Sequence, residues 1–178
     1  MANYCTTDVT VTGPKEQVEK LYKIMHELEE RNEPQSAGSW GSKWYGNIVT
    51  ALGGEWEKVY CKGYFFDLDY QDGVLSWSDE FAWREPHEIF AFLREKLPGI
   101  DIRFYAEEFG CGYLVTNHPN FARFLSDFKG EILYHDDIED LLDCATETYG
   151  RGFTSFDELV KFCDEHDECE VYEIEKVD

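Results

Sequence analysis

An order of strand, helix, strand, strand, helix, strand over the N-terminal two-thirds of the chain predicts an α+β protein with an antiparallel sheet. Three stretches carry that expectation. Tyr4 to Thr12 alternates strictly, with Cys5, Thr7, Val9 and Val11 on one side and Tyr4, Thr6, Asp8, Thr10 and Thr12 on the other, the pattern of a half-buried strand. Asp72-Gly73 is a tight-turn signal between two apolar runs and joins them as a hairpin. Leu75 to Gly112 reads as an aromatic run ending at Trp83, a helix opened by Pro86 and closed by Pro98-Gly99, and the alternating run Ile102, Phe104, Ala106. Proline at a helix start sacrifices no intrahelical bond, and Pro-Gly after the last apolar residue ends the helix.

The remaining elements follow in order. Gly13-Pro14 starts a helix with Glu16 in its first turn, and Val18, Leu21, Tyr22, Met25 and Leu28 form its buried stripe as far as about Arg31. Asn32 to Gly38 is a loop. Trp44, Ile48 and Leu52 share a helical face before Gly53-Gly54, which predicts a short helix over Lys43 to Leu52. Lys62 to Tyr70 alternates as a second strand and leads through Asp72-Gly73 into Val74 to Trp77. In the helix from Pro86, Ile89, Phe90, Leu93 and Leu97 make one face apolar, and that face must lie on a sheet. Asp101 to Glu107 is the next strand, and Gly112 to Thr116 a short further one, with Gly110 and Gly112 suited to a bend. With right-handed crossovers this order gives a ferredoxin-like βαββαβ arrangement over residues 1–117, with two helices on one face of the sheet.

From His118 the character changes. Phe121, Phe124, Leu125 and Phe128 fall at helical spacing, as do Ile138, Leu141, Leu142 and Ala145. Ser155 caps a third segment with Glu158 as its capping-box partner, and Val171, Tyr172 and Ile174 suit a last strand. Residues 118–178 therefore read as a mostly helical, acidic appendage packed on the first domain.

Charge is the strongest global feature: 38 acidic against 16 basic residues, net −22. Residues 113–178 hold 18 acids and 5 bases, a denser negative charge than residues 1–112 with 20 and 11. Such a surface repels phosphate backbones, so direct nucleic-acid binding is excluded and a basic protein partner is favoured. No apolar run reaches the roughly 20 residues of a membrane span, and the N-terminus lacks the features of a secretion signal. The expectation is a soluble cytoplasmic protein without membrane association, its six cysteines free thiols.

The motif Trp40-Gly41-Ser42-Lys43-Trp44, followed by Phe81-Ala82-Trp83, Pro86, Leu97-Pro98 and Tyr105-Ala106-Glu107-Glu108-Phe109-Gly110-Cys111-Gly112, resembles the YubB-like family of ferredoxin-like domains. Residues 1–116 carry the likeness through Trp40, Gly41, Lys43, Trp44, Trp83, Pro86, Gly110 and Gly112. It departs at Ser42, Glu80-Phe81 and Arg84-Glu85-Pro86. The resemblance implies a fold and an origin on bacterial plasmids and phages, and no activity.

Candidate chemistry is sparse. Lys43 between two indoles is one option for the Trp40 to Trp44 stretch; the favoured one is that Trp40 and Trp44, four apart, pin the short helix to the core. Cys163, His166 and Cys169 are spaced C-x-x-H-x-x-C, but no second ligand pair accompanies them, so no metal site is assigned. Asp79 with Glu80, and Glu107 with Glu108, are strand neighbours that point to opposite faces and cannot converge on one bond. An outward face carrying Asp8, Asp67, Asp69 and Glu107 beside Phe65 and Tyr105 would repel RNA. No catalytic residue and no cofactor is assigned. The reading is an accessory protein acting by protein contacts, leaning away from an enzyme. Asp136, Asp137, Glu139, Asp140 and Asp143 form its candidate acidic surface, in sharper form a nucleic-acid mimic. The alternative is an enzyme or ligand binder with a pocket between sheet and appendage, lined by His135 or Glu107.

Overall fold

The computed structural model describes residues 3–31 and 40–178, so the loop expected over Asn32 to Gly38 lies outside the described residues. The architecture is mixed α/β and divides into two compact units, Met1–Tyr113 and Leu114–Asp178.

The first unit holds β1 (Tyr4–Thr12), β2 (Gly63–Gln71), β3 (Val74–Ala82) and β4 (Asp101–Glu108), which lie side by side in the order β2-β3-β1-β4 as part of a six-stranded sheet. Each of these neighbours pairs antiparallel. Val9 stands opposite Trp77 and Phe104, and Val11 opposite Leu75 and Ile102, so the odd residues of β1 build one buried face, apolar except where Thr7 stands opposite Asp79. Helices α1 (Lys15–Glu30), α2 (Tyr45–Ala51) and α3 (His87–Lys96) complete the unit. The α1 stripe Val18, Leu21, Met25 and Leu28 is buried as the periodicity predicts. Phe90 of α3 packs on Phe104 with ring centroids 5.3 Å apart, and Tyr45 of α2 meets Phe65 and Phe81.

Several boundaries differ from expectation for identifiable reasons. The third strand runs on to Ala82, because Asp79 and Phe81 continue the buried face begun by Leu75 and Trp77. The register of β2 shifts between Phe66 and Asp69, where Asp67 takes a positive φ of 51°. A bulge of that kind re-aims every later side chain, so Phe65 before it is fully buried while Asp69 after it is exposed, although the two were expected on one outward face. The Asp72-Gly73 turn has positive φ at both residues, 53° and 83°, as a two-residue hairpin turn requires.

Strand β5 (Tyr113–Thr116) begins on the last residue of the first unit, and the second unit goes on with β6 (Phe124–Phe128), β7 (Glu131–His135), α4 (Ile138–Tyr149), α5 (Phe156–Asp164), β8 (Cys169–Glu173) and β9 (Glu175–Lys176). Three of these form a sheet in the order β7-β6-β8, and β5 makes a short parallel pairing with β9. Phe124, Phe128, Leu141, Ala145, Phe153, Leu159 and Cys169 are its core.

The mostly helical appendage is therefore corrected: only α4 and α5 are helical, and the segment around Phe124 is the central strand of a sheet. Phe121, Phe124, Leu125 and Phe128 fit a helical period, but Phe124, Ser126 and Phe128 also fit a strand. Lys129-Gly130, with φ of 56° and 85°, turns the chain straight back into β7. The capping of α5 follows expectation on one side only. Ser155 Oγ accepts from Glu158 N at 3.2 Å, while the Glu158 carboxylate accepts from Thr154 N and Oγ1 instead of reaching back to Ser155.

The free-thiol expectation is corrected at one pair. Cys163 and Cys169 form a disulfide with Cα atoms 4.6 Å apart, because the chain reverses tightly between the end of α5 and the start of β8. Cys5, Cys61, Cys111 and Cys144 are free. Among the described residues no helix is long and apolar enough to cross a membrane.

Candidate functional site

The Trp40 to Trp44 stretch opens a cleft within the first unit. Trp44 stands just before α2 in extended backbone and makes an antiparallel bridge with Tyr64 of β2, supported by Phe65 N donating to Lys43 O at 3.2 Å. Asn47 Nδ2 donates to Gly41 O at 2.7 Å and Ser42 O at 3.0 Å, which wraps the turn onto the first turn of α2. Lys43 Nζ reaches Glu29 Oε1 on α1 at 2.8 Å. Lys43 is turned to a carboxylate instead of standing between the indoles, and the packing reading holds for Trp44, 5% exposed at the start of α2, but is corrected for Trp40, which precedes the helix and is 74% exposed.

The opposite wall comes from a single 3₁₀ turn, Trp56–Lys58, and the residues after it. Trp56 meets Trp44 edge-on with centroids 5.2 Å apart. Tyr60 packs against Phe81, and its backbone N–H donates to Glu88 Oε2 of α3 at 2.9 Å. The result is an open cavity of about 690 Å³ walled by Tyr4, Trp40, Trp44, Trp56, Tyr60 and Tyr64, with Glu57, Lys58, Lys62 and Glu88 also lining it. Tyr4, on the exposed face of β1, keeps 57% of its surface in solvent. Burial, and secondarily Tyr4, raises the Tyr64 phenol above its usual range.

Gly63 makes this geometry attainable. A Cβ there would lie 2.1 Å from the Phe81 ring and 2.6 Å from Glu80 O, one of them backbone that cannot yield. Gly63→Ala is expected to lower stability by about 1–3 kcal/mol and to displace the Tyr60 wall, read by denaturant unfolding and by tryptophan emission.

Of the other motif residues, Pro86 caps α3, its carbonyl accepting from Phe90 N at 2.9 Å. Gly110 and Gly112 belong to a separate turn after β4, with Gly112 left-handed at φ 64°. Trp83 follows the cleft-lining Ala82, is 57% exposed, and holds a φ of 77°, a conformation that a bulky side chain rarely adopts. Trp56, Tyr60, Tyr64 and Tyr4 were not singled out from sequence. For Trp56, Tyr60 and Tyr64 the one signal is the density of aromatic residues between Trp40 and Phe66, and for Tyr4 it is the alternation that sets it on the side of its strand away from Val9 and Val11.

Two polar networks lie elsewhere. In the first unit, Trp77 Nε1 donates to Tyr45 Oη at 2.8 Å and Tyr45 Oη donates to Asp79 Oδ2 at 2.6 Å. Burial pushes the Asp79 carboxyl up to about 7, against the lowering effect of the Tyr45 hydrogen bond. Asp79 has no exposed surface, so this is a core network and meets no ligand. Its neighbour Glu80 is exposed, on the opposite face as strand alternation requires.

In the second unit His135 Nε2 lies 2.8 Å from Ser126 Oγ, and His135 Nδ1 lies 3.0 Å from Asp140 Oδ2. Serine, histidine and aspartate in that order are the parts of a nucleophilic triad. Here Ser126 is fully buried, on the same face of β6 as the core residues Phe124 and Phe128, so the array ties β6, β7 and α4 together instead of presenting a nucleophile. Within the acidic set, Asp137 caps α4 by accepting from Asp140 N at 3.0 Å, and Asp140 holds His135. Asp136, Glu139 and Asp143 remain exposed. The sulfurs of Cys163 and Cys169 bond each other, while His166 donates from Nδ1 to Phe162 O at 2.6 Å and stacks on its ring. Among the described residues no group of three His, Cys, Asp or Glu side chains is placed to hold a metal ion.

Comparisons with protein-family models, with curated proteins and with solved structures found no match to this chain.

Proposed function

We propose that this chain is a non-enzymatic accessory protein of a bacterial mobile element, acting by binding another protein through the aromatic cleft of a ferredoxin-like first unit. The element order, and the run β2-β3-β1-β4 within a six-stranded sheet, support the fold reading. The likeness of the Trp40 to Gly112 motifs to the YubB-like family supports the origin. One observation carries the binding function: six aromatic side chains converge on one open cleft, and two of them, Tyr4 and Trp40, stand largely in solvent. Exposed aromatics grouped at a concavity are what protein interfaces use as anchors, because each removes a large apolar area from water at little conformational cost.

The net charge of −22 selects the partner's sign. A basic protein is attracted over the Debye length and polyanions are turned away. The exposed carboxylates of Asp136, Glu139 and Asp143 add to this field. In the sharper form of the proposal they occupy the phosphate-binding surface of a basic DNA-binding protein.

A pull-down from bacterial lysate tests the reading. The immobilised protein is expected to retain a basic protein that salt releases, and Trp40→Ala is expected to lose it at unchanged melting temperature. Equal retention by Trp40→Ala, or retention indifferent to salt, would count against it.

A further inference from the structure

We infer that the cleft receives an arginine side chain of the basic partner, the guanidinium lying among the rings of Trp40, Trp44 and Trp56 with Glu57 at the rim. This rests on the cleft being the interaction site proposed above, and adds the chemistry of what enters it. The faces of indole and phenol rings carry negative quadrupole potential, and tryptophan is the strongest of them toward a cation. The cleft already demonstrates this within the chain: Lys62 Nζ lies over the Tyr60 ring, 5.5 Å from its centroid.

Charge complementarity points the same way. Glu57 and Glu88 line the cleft; of the two lysines there Lys58 pairs with Glu55 Oε1 at 2.6 Å and Lys62 rests over the Tyr60 ring, so among the described residues the two carboxylates face one unpaired ammonium and the lining is net negative. An incoming anion would meet those two carboxylates and the field of a chain with net charge −22. An incoming cation would be drawn by both. Among protein cations, guanidinium fits an aromatic wall best. It is planar, stacks on rings and is less strongly hydrated than an ammonium, so it loses less on leaving water, and its forked donors can bind a rim carboxylate in bidentate fashion.

The experiment is a tryptophan-fluorescence titration of the full chain with a short arginine-containing peptide and with its citrulline counterpart, which keeps the planar shape without the charge. The arginine peptide is expected to bind at least about tenfold more tightly than the citrulline peptide, the scale of a partly desolvated cation on aromatic rings. Trp40→Ala and Glu57→Gln should each weaken it severalfold. Both side chains are exposed, so both variants should keep the wild-type melting temperature. Equal binding of the two peptides would overturn the inference by making the cleft an apolar site, while leaving the protein-binding function standing. Failure of the arginine peptide to bind, or binding unmoved by Trp40→Ala, would also overturn it. The pull-down tests the broader function independently of either result.

Discussion

Replacing Asp79 by asparagine is expected to abolish most of the pH dependence of stability contributed by the core of the first unit and to stabilise the protein at neutral pH. Asp79 is wholly buried, and burial raises its carboxyl from 3.8 to about 7. The sign follows from linkage. A raised folded pKa means that the folded state holds the proton where the unfolded chain has released it, so this contribution is full below about pH 4 and is lost as pH rises through about 7. A shift of that size corresponds to on the order of 4 kcal/mol between the two limits. Asparagine keeps an acceptor for the Tyr45 hydroxyl, and its amide can donate toward Thr7, which stands opposite in register. Neither Asp79 Oδ1 nor Thr7 Oγ1 has a hydrogen-bond partner otherwise. Urea unfolding at several pH values between about 5 and 8 reads the effect. The wild type should lose stability relative to Asp79→Asn as pH rises, and parallel curves would mean that the carboxyl is not held protonated by the fold.

Phe81→Ala is the second large effect, expected to cost about 3–5 kcal/mol. Phe81 is 1% exposed, opposes Cys5 and Gly63 in the sheet, and packs edge-on against both Tyr45 and Tyr60. Removing it leaves a cavity beneath the Tyr60 wall of the cleft, and Gly63 has no side chain to fill it. The loss should therefore appear twice, as a lower urea midpoint at unchanged slope and as weaker capture of the partner in protein that is still folded. Loss of stability with full partner binding would separate the cleft from the core beneath it.

Much of the first unit was legible in the sequence because its signals are local and agree with one another. The alternation of Tyr4–Thr12, the Asp72-Gly73 turn and the proline before His87 each dictate backbone geometry within a few residues. The misses came where one pattern satisfies two periods or where the determinant is tertiary. The phenylalanines from 121 to 128 read as a helix face, and the decisive signal was the Lys129-Gly130 turn beyond them. Cys163 and Cys169 are brought together by a chain reversal whose closeness no spacing rule specifies. The cleft was only half visible, since its rings come from β1, the turn before α2, the 3₁₀ turn and β2. The Trp40 and Trp44 pair was recognised, but the inward turn of Trp44 depends on Gly46, where a Cβ would lie 2.1 Å from the indole. Asp79 carried no sign of its burial because its neighbours Ser78 and Glu80 are polar as well.

The five tryptophan indole N–H resonances report on the binding site directly, because their environments differ. Trp40, Trp44 and Trp56 line the cleft, whereas Trp77 is buried with its N–H bonded to Tyr45. On adding the partner retained from lysate, the resonances of Trp40, Trp44 and Trp56 should shift while that of Trp77 stays in place. A partner that binds without moving any of those three would contradict the assignment of the cleft as the recognition site.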